Sequence, residues 1–433
     1  MNQILRGGVL CVVLWLAACS DAPAPSPKMP SPAAPVVLTV WHTQTGAAQT
    51  QLDALVADFQ KAYPPITLRV EAKANAGELL RQGVAASALN QTPDLVITDS
   101  RAIAEFARKG ALVNLDPWLD DATLGLPGDE RADFFGGVLD ASRIPELKNQ
   151  QFALPFDKRV VVLFYNADLL RAAKADVPPQ TWDQFGNAVR ATTRGNTRGW
   201  AMTPNAGVLA ALLASRGGSV LNDAQKEARL DDEATLKMLQ LITALTKSGA
   251  TYLVEDAASA RAEFAQSRAA FWFGASDQAP LIADALAHVG ANFQWGVANV
   301  PQNDPSRPVT VISGADVAIF RSTPERHRAA WTFARWLTLP EQGARWARAT
   351  PAIPLRASSL NLLAANPPAL AHYLRAGLSD TPPAVRALPV VGNAAQIDNA
   401  LVEMWISVAN GADPGVAQRN AAARINRLLG QIP

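Results

Sequence analysis

The sequence predicts an α/β protein of two lobes. Three observations carry that expectation: the chain is 433 residues long, too long for one ordinary core; strand and helix signals alternate over residues 36–99; and the alternation restarts after residue 156. Residues 36–40 are a buried-strand run. Residues 46–63 then set Leu52, Leu55, Val56, Phe59 and Tyr63 at helical spacing on one face. Pro64-Pro65 ends that helix, and 66–70 reads as the next strand. A helix over 77–89 follows, and Pro93 precedes a third strand at 94–98. The β-α-β-α-β order implies a parallel sheet with helices on its faces, and ligands in such sheets sit beyond the carboxyl ends of the strands. Trp41 to Gln44 and Asp99-Ser100 fall at such ends.

The pattern changes twice further on. Gln151 to Phe156 leads into a strand at 160–165 and a new set of helices. The run 295–301 precedes an extended segment at 309–320. Two helical segments then carry Trp331, Trp336 and Trp346, which the amphipathic spacing assigns to packing. Leu230-Asp231-Asp232-Glu233 before Leu236, Leu239, Ile242 and Leu245 reads as a capped helix start, lacking the alternating ligands and glycine of a calcium loop.

The first thirty-five residues read as a targeting segment. Arg6 is the only charge before Asp21, and residues 7–18 are apolar throughout. That run is shorter than the about 20 residues a bilayer-spanning helix needs and suits a signal-peptide core over residues 1–18. It ends in Leu16-Ala17-Ala18-Cys19, which resembles the lipobox of bacterial lipoproteins, so Cys19 is expected to be lipidated and to become the first residue. Residues 19–35, rich in Pro, Ala and Ser, form an extended spacer of about 3.1 Å per residue. The only cysteines are Cys11 and Cys19, so no disulfide is expected in the mature domain.

Composition narrows the function classes. The chain has 39 Lys+Arg against 38 Asp+Glu, and loss of Arg6 balances them. A neutral balance argues against nucleic-acid binding. The histidines at 42, 288, 327 and 372 show no metal spacing, and neither a Walker loop, a dinucleotide fingerprint nor a nucleophile elbow occurs. The reading is therefore a binding protein with no cofactor, no metal and no catalytic residue. A glycosidase carboxylate pair, about 5 to 10 Å apart, leaves no local signature, and a tethered carbohydrate-active enzyme is the competing class.

Several segments, in order, resemble one family. Trp41-His42-Thr43-Gln44-Thr45-Gly46 with Phe59-Gln60-Lys61-Ala62-Tyr63-Pro64 is similar to the opening of family 1 extracellular solute-binding proteins, the receptors of ABC importers. Pro93-Asp94-Leu95-Val96, Ala153-Leu154-Pro155-Phe156 through Leu170, Pro178 to Phe185, Gly217-Gly218, Phe264 to Phe271, Ile312 to Asp316 and Ala329 to Leu337 continue the resemblance. It implies a type II periplasmic-binding fold, two lobes hinged at crossing strands and closing on solute. By the same analogy residues 36–155 plus 300–350 form one lobe and 156–299 plus 351–433 the other. The partners implied are a sugar or polyol, the permease subunits and, through the lipid, a membrane on the periplasmic side; a monomer is expected.

The glycerol-phosphate-binding branch shares the Trp-His opening, the Gly392-Asn393-Ala394-Ala395-Gln396-Ile397 segment and the spacing of Trp346, Thr350 and Pro354. Two departures stand out. Asp398 occupies the place of an arginine suited to phosphate, and Ala352-Ile353 replaces an aromatic. Since a carboxylate repels a phosphate dianion, a neutral sugar or polyol is expected.

Candidate binding residues follow. Trp41 would stack on a sugar ring or pack against the sheet; His42, Thr43 and Gln44 offer neutral hydrogen bonds. Asp99 would accept sugar hydroxyls or cap the following helix. Asp157 and Lys158 follow the crossing, facing the cleft by analogy or forming a surface ion pair. Trp272, Ser276 and Asp277 come from the second lobe, Ser313 and Gly314 from the cleft floor, and Asn205 and Asn393 complete the set.

Overall fold

The computed structural model describes residues 34–175, 177–365 and 384–431. Residues 1–33, and with them the expected signal peptide, Cys19 and most of the spacer, lie outside the described residues, as does His372.

Twelve strands order the fold among the described residues: β1 (Val36–His42), β2 (Ile66–Ala72), β3 (Leu95–Asp99), β4 (Arg143–Ile144), β5 (Gln150–Gln151), β6 (Ala153–Asn166), β7 (Arg198–Met202), β8 (Thr251–Leu253), β9 (Ala269–Ala275), β10 (Trp295–Ala298), β11 (Val309–Ile319) and β12 (Ala384–Ala387). Apart from the β4–β5 pair they run β2-β1-β3-β11-β6-β9-β7-β8, with β10 beside β6 and β12 beside β11. β1 pairs in parallel with β2 and β3, and β7 in parallel with β8 and β9. Strands buried on both faces are continuously apolar, as Leu95-Val96-Ile97 in β3 and Ala270-Phe271-Trp272-Phe273 in β9. The edge strand β2 alternates, burying Ile66 and Leu68 but exposing Thr67 and Arg69.

The helix Gly46–Ala62 buries the predicted face, Leu52, Leu55, Val56 and Phe59. Phe59 stands 4.9 Å from Tyr63 and from Phe333 and 5.5 Å from Trp336, centroid to centroid. Trp331, Trp336 and Trp346 are all buried, in the packing role expected of them. Asp232 caps the helix Glu233–Lys247 through the Thr235 N–H.

Two long strands join the lobes, and each changes partners midway. β6 pairs with β11 over Ala153–Val160 and with β9 over Val161–Tyr165. β11 pairs with β12 over Val309–Ile312 and with β3 over Ala315–Ile319. The sequence places a break before residue 160, whereas the strand runs unbroken from Ala153. Pro155 explains the difference: it lacks an N–H to donate, and it sits where the β6–β11 register shifts between Ala315 and Asp316. Gly314 adopts φ +115°, and a Cβ there would meet the Asp157 carbonyl oxygen at 2.1 Å, so the two strands approach too closely for a side chain.

Below that approach lies a buried ion pair. Lys158 Nζ stands 2.7 Å from Asp316 Oδ1, both side chains 1% exposed. Asp316 also accepts from the Ser100 hydroxyl at 2.7 Å and the Ser142 hydroxyl at 2.6 Å.

Residues 351–365, expected with the second lobe, pack on the first. The N–H of Ile353 donates to the Lys158 carbonyl at 2.9 Å, that of Phe135 to Leu355 at 3.0 Å and that of Ala357 to Asp133 at 2.9 Å. Arg356 adds a side-chain contact, its guanidinium lying 4.0 Å over the Phe134 ring, but contacts this far apart in sequence leave no local pattern. The helices Ala394–Ala409 and Pro414–Leu429 bury Ile397, Leu401, Trp405 and Ile425 in the core cluster of Trp200, Leu209 and Leu239.

Removing one partner of the buried pair leaves an uncompensated charge. Asp316→Ala is expected to lower the unfolding free energy by about 3–5 kcal/mol, read as the midpoint shift in urea unfolding at unchanged slope. A loss under about 1 kcal/mol would show that water or rearrangement satisfies Lys158.

Candidate functional site

The carboxyl ends of the parallel strands in both halves open on one cleft. In the first lobe β3 ends in Asp99, which caps the helix Ser100–Arg108 by accepting from the Ala102 N–H at 2.9 Å. In the second, β7 leads through Thr203-Pro204 to Asn205, which caps the helix Ala206–Ser215 through the Val208 N–H at 3.1 Å. β8 leads to Glu255 and Asp256, the latter capping Ala257–Ala265. The N–H of Ser259 holds the Asp256 carboxyl below its usual range.

Two adjoining cavities fill the cleft. The larger, about 590 Å³, is lined by residues that include Thr203, Asn205, Glu255, Asp256, Trp272 and Gln278. The smaller, about 220 Å³, lies over Asp99, Ser100, Lys158 and Gly314. Arg101, Ser313 and Leu388 line both, so the two share a wall. A further cavity of about 420 Å³, lined by loop residues such as Asp140, Asn149 and Asn222, gathers fewer strand ends.

Trp272 is buried, stacks on Phe164 at 5.2 Å and donates its indole N–H to the Thr203 hydroxyl at 3.1 Å. It therefore forms wall rather than an open stacking face. Arg101 donates to both oxygens of Asp398, at 2.7 and 2.9 Å, across the cleft from one helix to another.

Asp99, Lys158, Asn205, Trp272, Ser313 and Gly314 of the expected residues are thus brought together, Lys158 with its amine spent on Asp316. The others are placed differently. The Lys73 amine covers the Trp41 ring at 4.0 Å, and the ring packs on the cluster of Leu79, Val96 and Phe106. His42 is buried, with Nδ1 accepting from the Gln44 N–H at 3.1 Å. The Thr43 N–H donates to Ile97 at 3.3 Å, and Gln44 is buried. Asp157, expected at the cleft or in a surface pair, is buried below the floor, accepting from the Trp346 indole at 3.2 Å and from Arg159 at 3.0 Å. Ser276 binds the backbone of Val160, Asp277 pairs with Arg159 at 2.7 Å, and Asn393 donates to the Leu428 carbonyl at 2.8 Å.

Sequence reasoning passed over Arg101, Thr203, Glu255 and Gln278. The signal for Thr203 lay in Met202-Thr203-Pro204-Asn205, a strand end followed by a polar turn and a helix cap. Arg101 and Asp398 stand 297 positions apart, beyond any local pattern. Among the described residues no group of three or more His, Cys, Asp or Glu could hold a metal, and no helix is long and apolar enough to cross a membrane.

Residues 54–372 match the profile of a family described as bacterial extracellular solute-binding protein. A curated relative is the sn-glycerol-3-phosphate-binding periplasmic protein UgpB of Agrobacterium fabrum, 24% identical over 153 residues, 35% of this chain and 34% of that one. The chain thus spans about a third of the length of the curated relatives it matches. Among solved structures, the sugar-binding protein MalE from Xanthomonas citri aligns with TM-score 0.78 at 21% identity, covering 92% of this chain and 98% of that one. The cyclic alpha-maltosyl-1,6-maltose binding protein from Arthrobacter globiformis aligns with TM-score 0.76 at 20% identity, over 92% and 99%. At these identities the likeness is one of fold, and the fold is the two-lobed α/β clamp.

Burial lowers the pKa of His42 below its ordinary 6.5, outweighing the nearby Asp53 carboxylate. Below about pH 6.5 the unfolded chain takes up a proton that the fold refuses, so this site costs stability as pH falls and nothing above that range. The melting temperature is expected to fall between about pH 7.5 and 5.5, less steeply in His42→Gln, since one such group contributes at most about 1.4 kcal/mol per pH unit. Identical slopes in the two proteins would show that His42 titrates alike folded and unfolded.

Proposed function

The chain belongs to the bacterial extracellular solute-binding protein family, and on that premise we propose that it is the receptor of an ABC importer for a neutral carbohydrate or polyol, tethered to a membrane through lipidated Cys19. The observation that carries the ligand class is the lining of the cleft. Thr203, Asn205, Gln278 and Ser313 present hydroxyl and amide groups, which donate and accept as sugar hydroxyls require. Glu255 adds an acceptor, while the Arg101 fork is engaged by Asp398 and the Lys158 amine by Asp316. A solute rich in hydroxyl groups and free of negative charge fits such walls. The names of two structural neighbours, which bind a sugar and a maltosyl maltose, agree with that class.

The cleft favours binding over chemistry. Asp99 and Asp256 are spent on helix N-termini and Asp398 on Arg101, whereas glycoside hydrolysis needs one carboxyl held protonated by a raised pKa. Capture by closure needs only that β6 and β11 absorb a backbone change where they exchange partners.

A second reading, glycerol phosphate, has the curated relatives in its favour. One experiment separates the two: a thermal-shift panel of mono-, di- and trisaccharides, polyols and glycerol phosphates. A bound solute at 100 times its dissociation constant stabilises the fold by about 2.7 kcal/mol. A shift with a saccharide or polyol is expected; a shift with glycerol phosphate alone would overturn the neutral class. For the tether, metabolic labelling with an alkynyl fatty acid is expected to mark the exported chain and not its Cys19→Ala variant; equal labelling would remove Cys19 from the proposal.

A further inference from the structure

Arg101 and Asp398 form a charged pair that spans the cleft. Arg101 stands on the first-lobe helix Ser100–Arg108, Asp398 on the second-lobe helix Ala394–Ala409. Their contact is two-pronged, Nη1 to Oδ2 at 2.7 Å and Nη2 to Oδ1 at 2.9 Å. Both residues line the larger cavity, and Arg101 lines the smaller one as well. A guanidinium offers a planar fork that suits carboxylate, phosphate and sulfate alike, and here a carboxylate of the chain itself fills it.

An anionic solute would have to displace Asp398 to reach that fork. The released carboxylate would then share the cavity with Glu255 and Asp256, three like charges beside the incoming anion. The other lining cation, Lys158, is buried on Asp316 beneath the floor. A neutral solute meets no such cost, because it can accept from or donate to the pair's outer edges while the pair stays intact.

We propose that Asp398 is a specificity-determining residue: by occupying the Arg101 fork it excludes phosphorylated and other anionic solutes from the cleft. The proposal rests on the cleft being the solute site and adds which charge state it admits.

The test uses the full chain with glycerol 3-phosphate and inorganic phosphate as probes, by calorimetry and thermal shift at low ionic strength. Asp398→Asn is expected to bind glycerol 3-phosphate about tenfold or more tightly than wild type, the scale of one charge-assisted hydrogen bond. Arg101→Gln in the Asp398→Asn background is expected to abolish the gain. Asp398→Ser repeats the comparison should the asparagine variant fold poorly. The proposal is overturned if wild type binds glycerol 3-phosphate as tightly as a folded Asp398 variant, or if the gain survives loss of Arg101. Should wild type bind no saccharide while Asp398→Asn gains the anion, the inference stands and the carbohydrate reading falls. Should a saccharide bind wild type and no anion bind the variants, the reverse holds.

Discussion

Lys158 and Asp316 lie on the two strands that cross between the lobes, and their buried contact fixes how those strands meet. Such a pair carries a desolvation cost that only good geometry offsets. Here the Ser142 hydroxyl donates to the oxygen that Lys158 holds and the Ser100 hydroxyl to the other, which draws the start of the helix after β3 and the turn before β4 to the crossing. The register shift at Pro155 and the close approach at Gly314 lie beside that point. Charge and backbone contact hold the crossing together with an apolar core that passes through it, Phe156, Val160 and Ile312 included.

The electrostatics of the cleft repeat one device. Several charges near the solute space are committed to another part of the fold: Lys158 to Asp316, Arg101 to Asp398, Asp99 and Asp256 to helix N-termini. Polar groups held in this way are oriented before a ligand arrives, so little ordering remains to be done on binding.

Much of the frame was legible in sequence because it follows short-range periodicity. The first three strands, the helix Gly46–Ala62 with its buried Phe59, and the capped starts at Asp99 and Asp232 all announce themselves within ten or twenty residues. What was not legible depends on distant pairing. The packing of residues 353–358 on Glu130 to Phe135 rests on backbone hydrogen bonds, on Arg356 over the Phe134 ring and on Ser358 at Asp133, contacts over two hundred positions apart, and the Arg101–Asp398 pair links helices that no pattern relates. Trp41 marks the limit of reading position alone: a tryptophan at a strand end has the right address for a sugar platform, yet its face is occupied by Lys73. Asp398, singled out in sequence only as a departure from a related pattern, proved to be half of the bridge.

The exchange of partners along β6 and β11 means that neither lobe is a continuous stretch of chain. β3 waits for β11, whose Ala315 pairs with Asp99 some two hundred residues earlier, and the second core waits for the helices that end at Leu429. Loop-closure entropy must be met before such contacts repay it. A chain emerging residue by residue therefore cannot finish either half early, and folding is deferred until nearly all of it has been released. For a member of an extracellular solute-binding family, slowness of this kind is an asset wherever a chain has to be threaded through a membrane.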